Sequence, residues 1–128
     1  PAFLAGCDIL VCLLPLTAHT RHILNSETFE AMPRGARLLN AARGGHLQQD
    51  DLLAALDSGQ LAAAMLDVTD PEPLPDGHPF YTHPAILMTP HVAGITRTDT
   101  AVLSLIDNLD RLLNGKPFMG EVDLDRGY

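Results

Sequence analysis

Basic side chains are scarce in this chain: 8 lysines and arginines stand against 16 aspartates and glutamates, for a formal charge of −8. Without a basic cluster no positive field follows a phosphate backbone, so nucleic acids and anionic membrane surfaces are disfavoured as partners. Small molecules and proteins remain. Long apolar runs are also missing. The longest, Ile9 to Leu16, is interrupted by Pro15 and falls far short of the roughly 20 residues that span a bilayer. It does not read as a secretory leader, because Asp8 precedes it and the first basic residue, Arg21, comes after it. A cytoplasmic location is the resulting expectation. Only two cysteines occur, Cys7 and Cys12. Along one extended segment they point to opposite faces, so no disulfide between them is expected, and they read as small apolar residues in a reducing compartment. An initiator methionine is absent too, with Pro1 only a few residues ahead of a strand. The chain therefore reads as a piece of something longer.

What is present, 128 residues of which 46% are hydrophobic, amounts to one ordinary globular domain. Residues 8–14 (DILVCLL) form a continuous apolar run, as expected of a parallel strand covered on both faces. Residues 26–32 read as a short helix with Ser26 as N-cap and with Pro33 and Gly35 beyond its end. A second strand is expected at residues 36–40 (ARLLN). Over residues 49–58, Leu52, Leu53 and Leu56 share one helical face, Asp50 and Asp51 sit at the positive end of the dipole, and Gly59 lies past the last turn. Residues 62–68 and 85–89 read as third and fourth strands. Thr96 opens the longest helix, with Asp99 in a weak capping box and Val102, Ile106, Leu109 and Leu113 as its buried stripe, before Gly115 and Pro117 stop it. Such alternation of strand and helix is the pattern of an α/β fold with a parallel sheet. Residues 68–84 break the rhythm, with five of the ten prolines and no helical period. A long rigid loop of that kind is more often functional than filler. The polar tail, residues 116–128, is expected to wrap over another surface.

Ligands of an open parallel sheet bind outside the carboxyl ends of its strands, where loops and helix N-termini converge. The residues just beyond the four strands are, in order, Pro15 to Thr20, then Asn40-Ala41-Ala42-Arg43-Gly44-Gly45, then Asp67 and Glu72, then Thr89-Pro90-His91-Val92-Ala93-Gly94. One arginine, two carboxylates and one histidine fall at the same edge. A guanidinium offers a planar fork of donors that matches a carboxylate. A histidine can deliver a proton near neutral pH, and a carboxylate beside it favours the imidazolium. Reduction of a 2-keto acid needs all three parts.

The phrases LPLTAHT, LLNAARGG, MLDVTDPEPLP and TPHVAGIT together resemble the second half of the D-isomer-specific 2-hydroxyacid dehydrogenases. The ending GEVDLDRGY is similar to that of the glyoxylate/hydroxypyruvate reductase A subgroup. The resemblance implies the C-terminal half of a Rossmann-type doubly wound parallel sheet over residues 1–95. Residues 96–128 would be a long helix and tail returning towards a substrate domain. It places the substrate-clamping arginine at Arg43, the glutamate at Glu72 and the proton-donating histidine at His91. In that scheme Glu72 holds His91 protonated, His91 protonates the carbonyl oxygen, and NADH or NADPH supplies hydride to the carbon. Asp67 would approach the nicotinamide carboxamide, and Leu14, Pro15, Thr20, Ala41, Ala42 and Gly94 would contact the cofactor together with Arg43 and His91. The subgroup favours NADP slightly over NAD, a small 2-keto acid such as glyoxylate or hydroxypyruvate, and a homodimer. Two departures stand out. Thr69 occupies a position where many members carry an aromatic residue, and no Gly-x-Gly-x-x-Gly turn for the pyrophosphate occurs. The chain is accordingly expected to be a C-terminal fragment, inactive by itself.

Other readings compete. Arg43 could cap carbonyls, His91 could bond to backbone, Glu72 could be solvated and Asp67 could bond to neighbouring amides. His19 with His22, and His78 with His83, lack the three or four converging ligands of a zinc site, so no metal is expected. His46 is expected to face solvent or an interdomain cleft. The functional alternative is a non-enzymatic module that binds nucleotide or protein on the same fold.

Overall fold

The four apolar runs pair in parallel as β1 (Ile9–Cys12), β2 (Ala36–Asn40), β3 (Leu61–Leu66) and β4 (Ile86–Met88), laid side by side in sequence order. This is the α/β parallel architecture read from the sequence. The computed structural model describes residues 2–126, in two compact units, one through Ala93 and one from Gly94 on. Pro1, Gly127 and Tyr128 lie outside the described residues.

A sheet built strand beside strand returns each right-handed crossover to the same face. That face takes α1 (Ser26–Glu30) and α2 (Gln49–Asp57). Phe29, Leu52 and Leu56 of these helices join Leu38, Ala64 and Leu66 of the sheet in one buried core. The cap of α1 differs from the expected one. Asn25 is the N-cap, its side chain accepting from the Thr28 amide, while Ser26 begins the helix and donates its own amide to Asp51 of α2 at 2.9 Å. Either residue type can cap, and the extended backbone falls at Asn25.

The other face of the sheet is open. Ile9, Val11 and Leu87 point there, and Ile9 and Leu87 are 58% and 60% exposed. The expectation that the first strand is covered on both sides is thus corrected, since Cys12 is the buried residue of β1 and the strand ends before Leu13 and Leu14, which are exposed. Cys7 lies outside the strand, half-buried, with its thiol on the Ile9 carbonyl.

In the second unit α3 (Thr98–Leu113) starts two residues later than expected, with Arg97 at its N-cap and no side-chain cap. Asp99 pairs with Arg97 at 2.8 Å instead of closing a capping box. The apolar stripe exists as a periodic row, but Val102, Ile106, Leu109 and Leu113 are all exposed, so its expected burial is also corrected. Gly115, at φ +63°, turns the chain beyond the helix, where Lys116 donates its amide to the Arg111 carbonyl. The start of the tail folds back onto its own helix: Asn108 bonds both ways with the backbone of Met119.

Candidate active site

The third and fourth strands extend past their ladders into one hydrogen-bonded turn. Asp67 donates its amide to Asn40, Thr89 donates to Leu66, and the His91 amide donates to the Asp67 carbonyl at 2.9 Å. His91 itself adopts a left-handed backbone, φ +54°, a conformation that costs a non-glycine residue about 1 kcal/mol or more. Asp67 holds it there. Its buried carboxylate accepts from the Thr89 hydroxyl and from the amides of Val92 and Ala93, each amide at 2.9 Å. Burial pushes the Asp67 carboxyl up, but the Thr89 hydroxyl, the Ala93 and Val92 amides and the nearby His91 ring together outweigh it. The carboxyl therefore titrates below the ordinary aspartate range.

The turn presents the imidazole to Glu72. His91 Nδ1 lies 2.9 Å from Glu72 Oε1, with both side chains a little under half exposed. Glu72 is carried by the proline-rich loop, which is far from slack. Leu74 and Phe80 are buried, and Tyr81 donates its hydroxyl to the Leu74 carbonyl. A 3-10 turn at Pro79–Tyr81 is capped by His78, whose ring accepts from the Phe80 amide. Beside the pair lies a cavity of about 520 Å³ lined by Glu72, Leu74, Tyr81, Met88 and His91 among others.

Arg43 stands on the neighbouring loop after β2, exposed, with its guanidinium folded onto the Ala42 carbonyl at 2.6 Å. The backbone beneath it is fixed. Asn40, fully buried at the end of β2, donates to the Arg43 carbonyl at 3.1 Å and accepts from the Ala42 amide at 3.2 Å. Gly44 packs so tightly that a Cβ there would overlap the Thr69 carbonyl group. The loops after β2 and β3 thus touch backbone to backbone. Thr69 ties its hydroxyl to the Pro71 carbonyl at 3.0 Å.

The structure therefore joins Glu72 and His91 directly and leaves Arg43 on the adjoining loop, unbonded to either among the described residues. Leu14 and Pro15 are exposed after β1, Ala41 is half-buried and Ala42 buried after β2. Thr20 closes its own loop, donating to the Pro15 carbonyl at 2.6 Å and accepting from the Thr17 amide at 2.8 Å. Gly94 begins the second unit. His46 overturns the expectation of an exposed ring, being fully buried. Sequence reasoning gives Asn40 no role of its own. Its inward position two residues after Leu38 on the core-facing side of β2 is the available signal, because a polar side chain there must find partners. His83 serves structure, pairing with Asp57 at 3.3 Å, and no group of three potential metal ligands occurs among the described residues. No described helix is long and apolar enough to cross a membrane.

Comparison with known proteins adds to this geometry. Residues 1–93 match the family described as D-isomer specific 2-hydroxyacid dehydrogenase, NAD binding domain. Curated relatives named glyoxylate/hydroxypyruvate reductase A, from strains of Salmonella newport and Salmonella heidelberg, are 50% identical over 127 residues. These cover 99% of this chain, which spans 41% of the relatives' length. A D-isomer specific 2-hydroxyacid dehydrogenase from Xanthobacter autotrophicus, solved with NADPH and MES, superposes with a TM-score of 0.95 at 44% identity, over 99% of this chain and 52% of that one. An NADPH-dependent glyoxylate/hydroxypyruvate reductase from Sinorhizobium meliloti, solved with NADP and sulfate, gives 0.92 at 38% identity over 99% of this chain and 42% of that one.

Proposed function

The chain belongs to the D-isomer-specific 2-hydroxyacid dehydrogenases, and on that premise we propose that it carries the proton-transfer site of an enzyme that reduces a small 2-keto acid to the 2-hydroxy acid. The observation that carries the proposal is the 2.9 Å pair of Glu72 and His91 on a turn whose strained backbone is pinned by Asp67. A histidine oriented by a carboxylate through Nδ1 presents Nε2 as the donor. Glu72 offsets the charge of the ring when it is protonated, and His91 delivers that proton to the substrate carbonyl oxygen. Arg43 exchanges its bond to the Ala42 carbonyl for the substrate carboxylate, for which a guanidinium is the matching fork. The relatives named glyoxylate/hydroxypyruvate reductase support glyoxylate or hydroxypyruvate as substrate, and the structures solved with NADPH or NADP support NADPH as reductant.

The residues present fit the nicotinamide end of such a cofactor. Ala41 and Ala42 have small side chains and Leu14 and Pro15 are exposed and uncharged at the carboxyl edge of the sheet, and Thr20 fixes the Pro15 loop. Asp67 would reach the carboxamide only by sharing oxygens already bonded to the His91 turn. When bound, the dinucleotide supplies the hydride.

The test is a NAD(P)H absorbance assay of the full-length protein with glyoxylate and hydroxypyruvate. Reduction of either is expected, with a fall of roughly a hundredfold or more in kcat for His91→Ala. Nucleotide binding without reduction of any 2-keto acid would favour a binding module instead, and unchanged turnover in His91→Ala would remove the proton donor from the scheme.

A further inference from the structure

A buried imidazole must find partners for its ring nitrogens, because each left unpaired costs free energy. His46 is 0% exposed, and its two nitrogens face two different loops. Nδ1 lies 3.0 Å from the Arg43 carbonyl, and Nε2 lies 3.3 Å from the Pro15 carbonyl, 31 positions away in sequence. Both oxygens can only accept, so each contact is a hydrogen bond when the facing nitrogen carries its proton, and both are hydrogen bonds at once when the ring carries two. Each carbonyl is also held from its own side. The Thr20 hydroxyl donates to Pro15, and the Asn40 amide group donates to Arg43. Backbone bonds from His22 to Gly45 and from Leu24 to His46 fasten the outer parts of the same loops. What the ring adds is a tie to Pro15, one of the residues proposed to approach the dinucleotide.

We propose that His46 is a positioning residue that spans the loop after β1 and the loop after β2, fixing the Arg43 backbone relative to Pro15 so that substrate clamp and cofactor approach keep one geometry. This rests on the roles proposed for Arg43 and Pro15. His46 touches neither substrate nor cofactor. A chain of held groups runs from Thr20 through Pro15 and His46 to Arg43 and Asn40, and removing its middle member breaks the tie between the two ends. Displacements of an ångström in such supports cost roughly ten- to hundredfold in rate or binding.

The experiment compares His46→Leu, which fills the space without a donor, with His46→Gln, whose terminal amide can still donate to the Pro15 carbonyl. Full-length protein is titrated with NADPH by calorimetry and assayed for keto-acid KM and kcat. His46→Leu is expected to weaken NADPH binding and to raise the keto-acid KM, each roughly tenfold, with a smaller change in kcat. His46→Gln is expected to recover most of the NADPH affinity. A folded His46→Leu protein with both constants at wild-type values overturns the proposal. So does a pair of variants that lose thermal stability alike while binding and KM stay unchanged, the result of a purely structural role. Should His46→Leu fail to fold, proton NMR of the wild-type protein labelled with nitrogen-15 histidine decides: a slowly exchanging ring N–H at His46 is expected, and rapid exchange with solvent overturns the proposal. Calorimetry and NMR need no turnover. If the wild-type protein reduces no keto acid, the proposed reaction fails while these two readouts still judge His46.

Discussion

At Asp67 one buried carboxylate and its own carbonyl organise the residues that carry the proposed proton donor, from the Thr89 hydroxyl to the Ala93 amide. Asp67→Asn keeps the size of the side chain but turns one acceptor oxygen into a donor facing amides. Chemical denaturation should show a loss of roughly 2–3 kcal/mol, in line with bonds to a charged group, and turnover should fall with it. The pH dependence has a definite sign. Because the folded carboxyl titrates below its unfolded value, its contribution is complete above the ordinary aspartate pKa of about 3.9. It is lost as pH falls through that value towards the lower folded one. Stability measured down an acid series should fall less steeply in Asp67→Asn than in the wild-type protein. Of these single-residue roles, the pairing of Glu72 with His91 is legible in the sequence through the resemblance, because both fall on motifs of the family. Asp67 reads there only as a cofactor contact or a loop aspartate, since its grip on Val92 and Ala93 depends on a left-handed backbone at His91. His46 escapes sequence reasoning because a polar residue in a loop gives no hint of burial until two loops close around it.

Between elements, the same limit appears in the loops. Strand and helix positions come directly from apolar runs and helical periods, and β2 lies at Ala36–Asn40, residue for residue where the run places it. What decides the site is a contact no local pattern reports: Gly44 lies against the Thr69 carbonyl group with no room for a methyl. Gly44→Ala must therefore separate the loop that carries Arg43 from the loop that carries Glu72. A destabilisation of about 1–3 kcal/mol, the usual range for overpacking, is expected by thermal or denaturant unfolding. A larger keto-acid KM should accompany it, and an alanine variant with unchanged KM would mean that the two loops need not touch. Helix α3 shows the reverse limit. Its amphipathic period is plain in the sequence, but periodicity says which residues seek cover and not whether this stretch of chain supplies it.

At the scale of the molecule the decisive feature is a sheet that, among the described residues, has one covered face and ends on β1 and β4 with no further strand beside them. Apolar side chains on the open side and unpaired backbone along β1 invite association. The 128-residue chain is expected to self-associate with rising concentration in size-exclusion chromatography, and Val11→Lys should reduce this. A monomer at every concentration, with and without the lysine, would show that the open face is harmless. The same chain, lacking a Gly-x-Gly-x-x-Gly turn, should bind NADPH weakly by itself. A calorimetric titration yielding micromolar affinity would mean that the loops described here suffice to hold the dinucleotide.

The backbone of His91 has a bearing on how this polypeptide could be engineered. Glycine would occupy φ +54° with no steric penalty, so robustness to heat and the proton-donor role proposed for His91 make opposite demands on one codon. A library screened for melting temperature alone would drift towards glycine at that site and accumulate sturdy, inert clones. Any campaign to harden the scaffold must hold position 91 constant and seek its gains elsewhere.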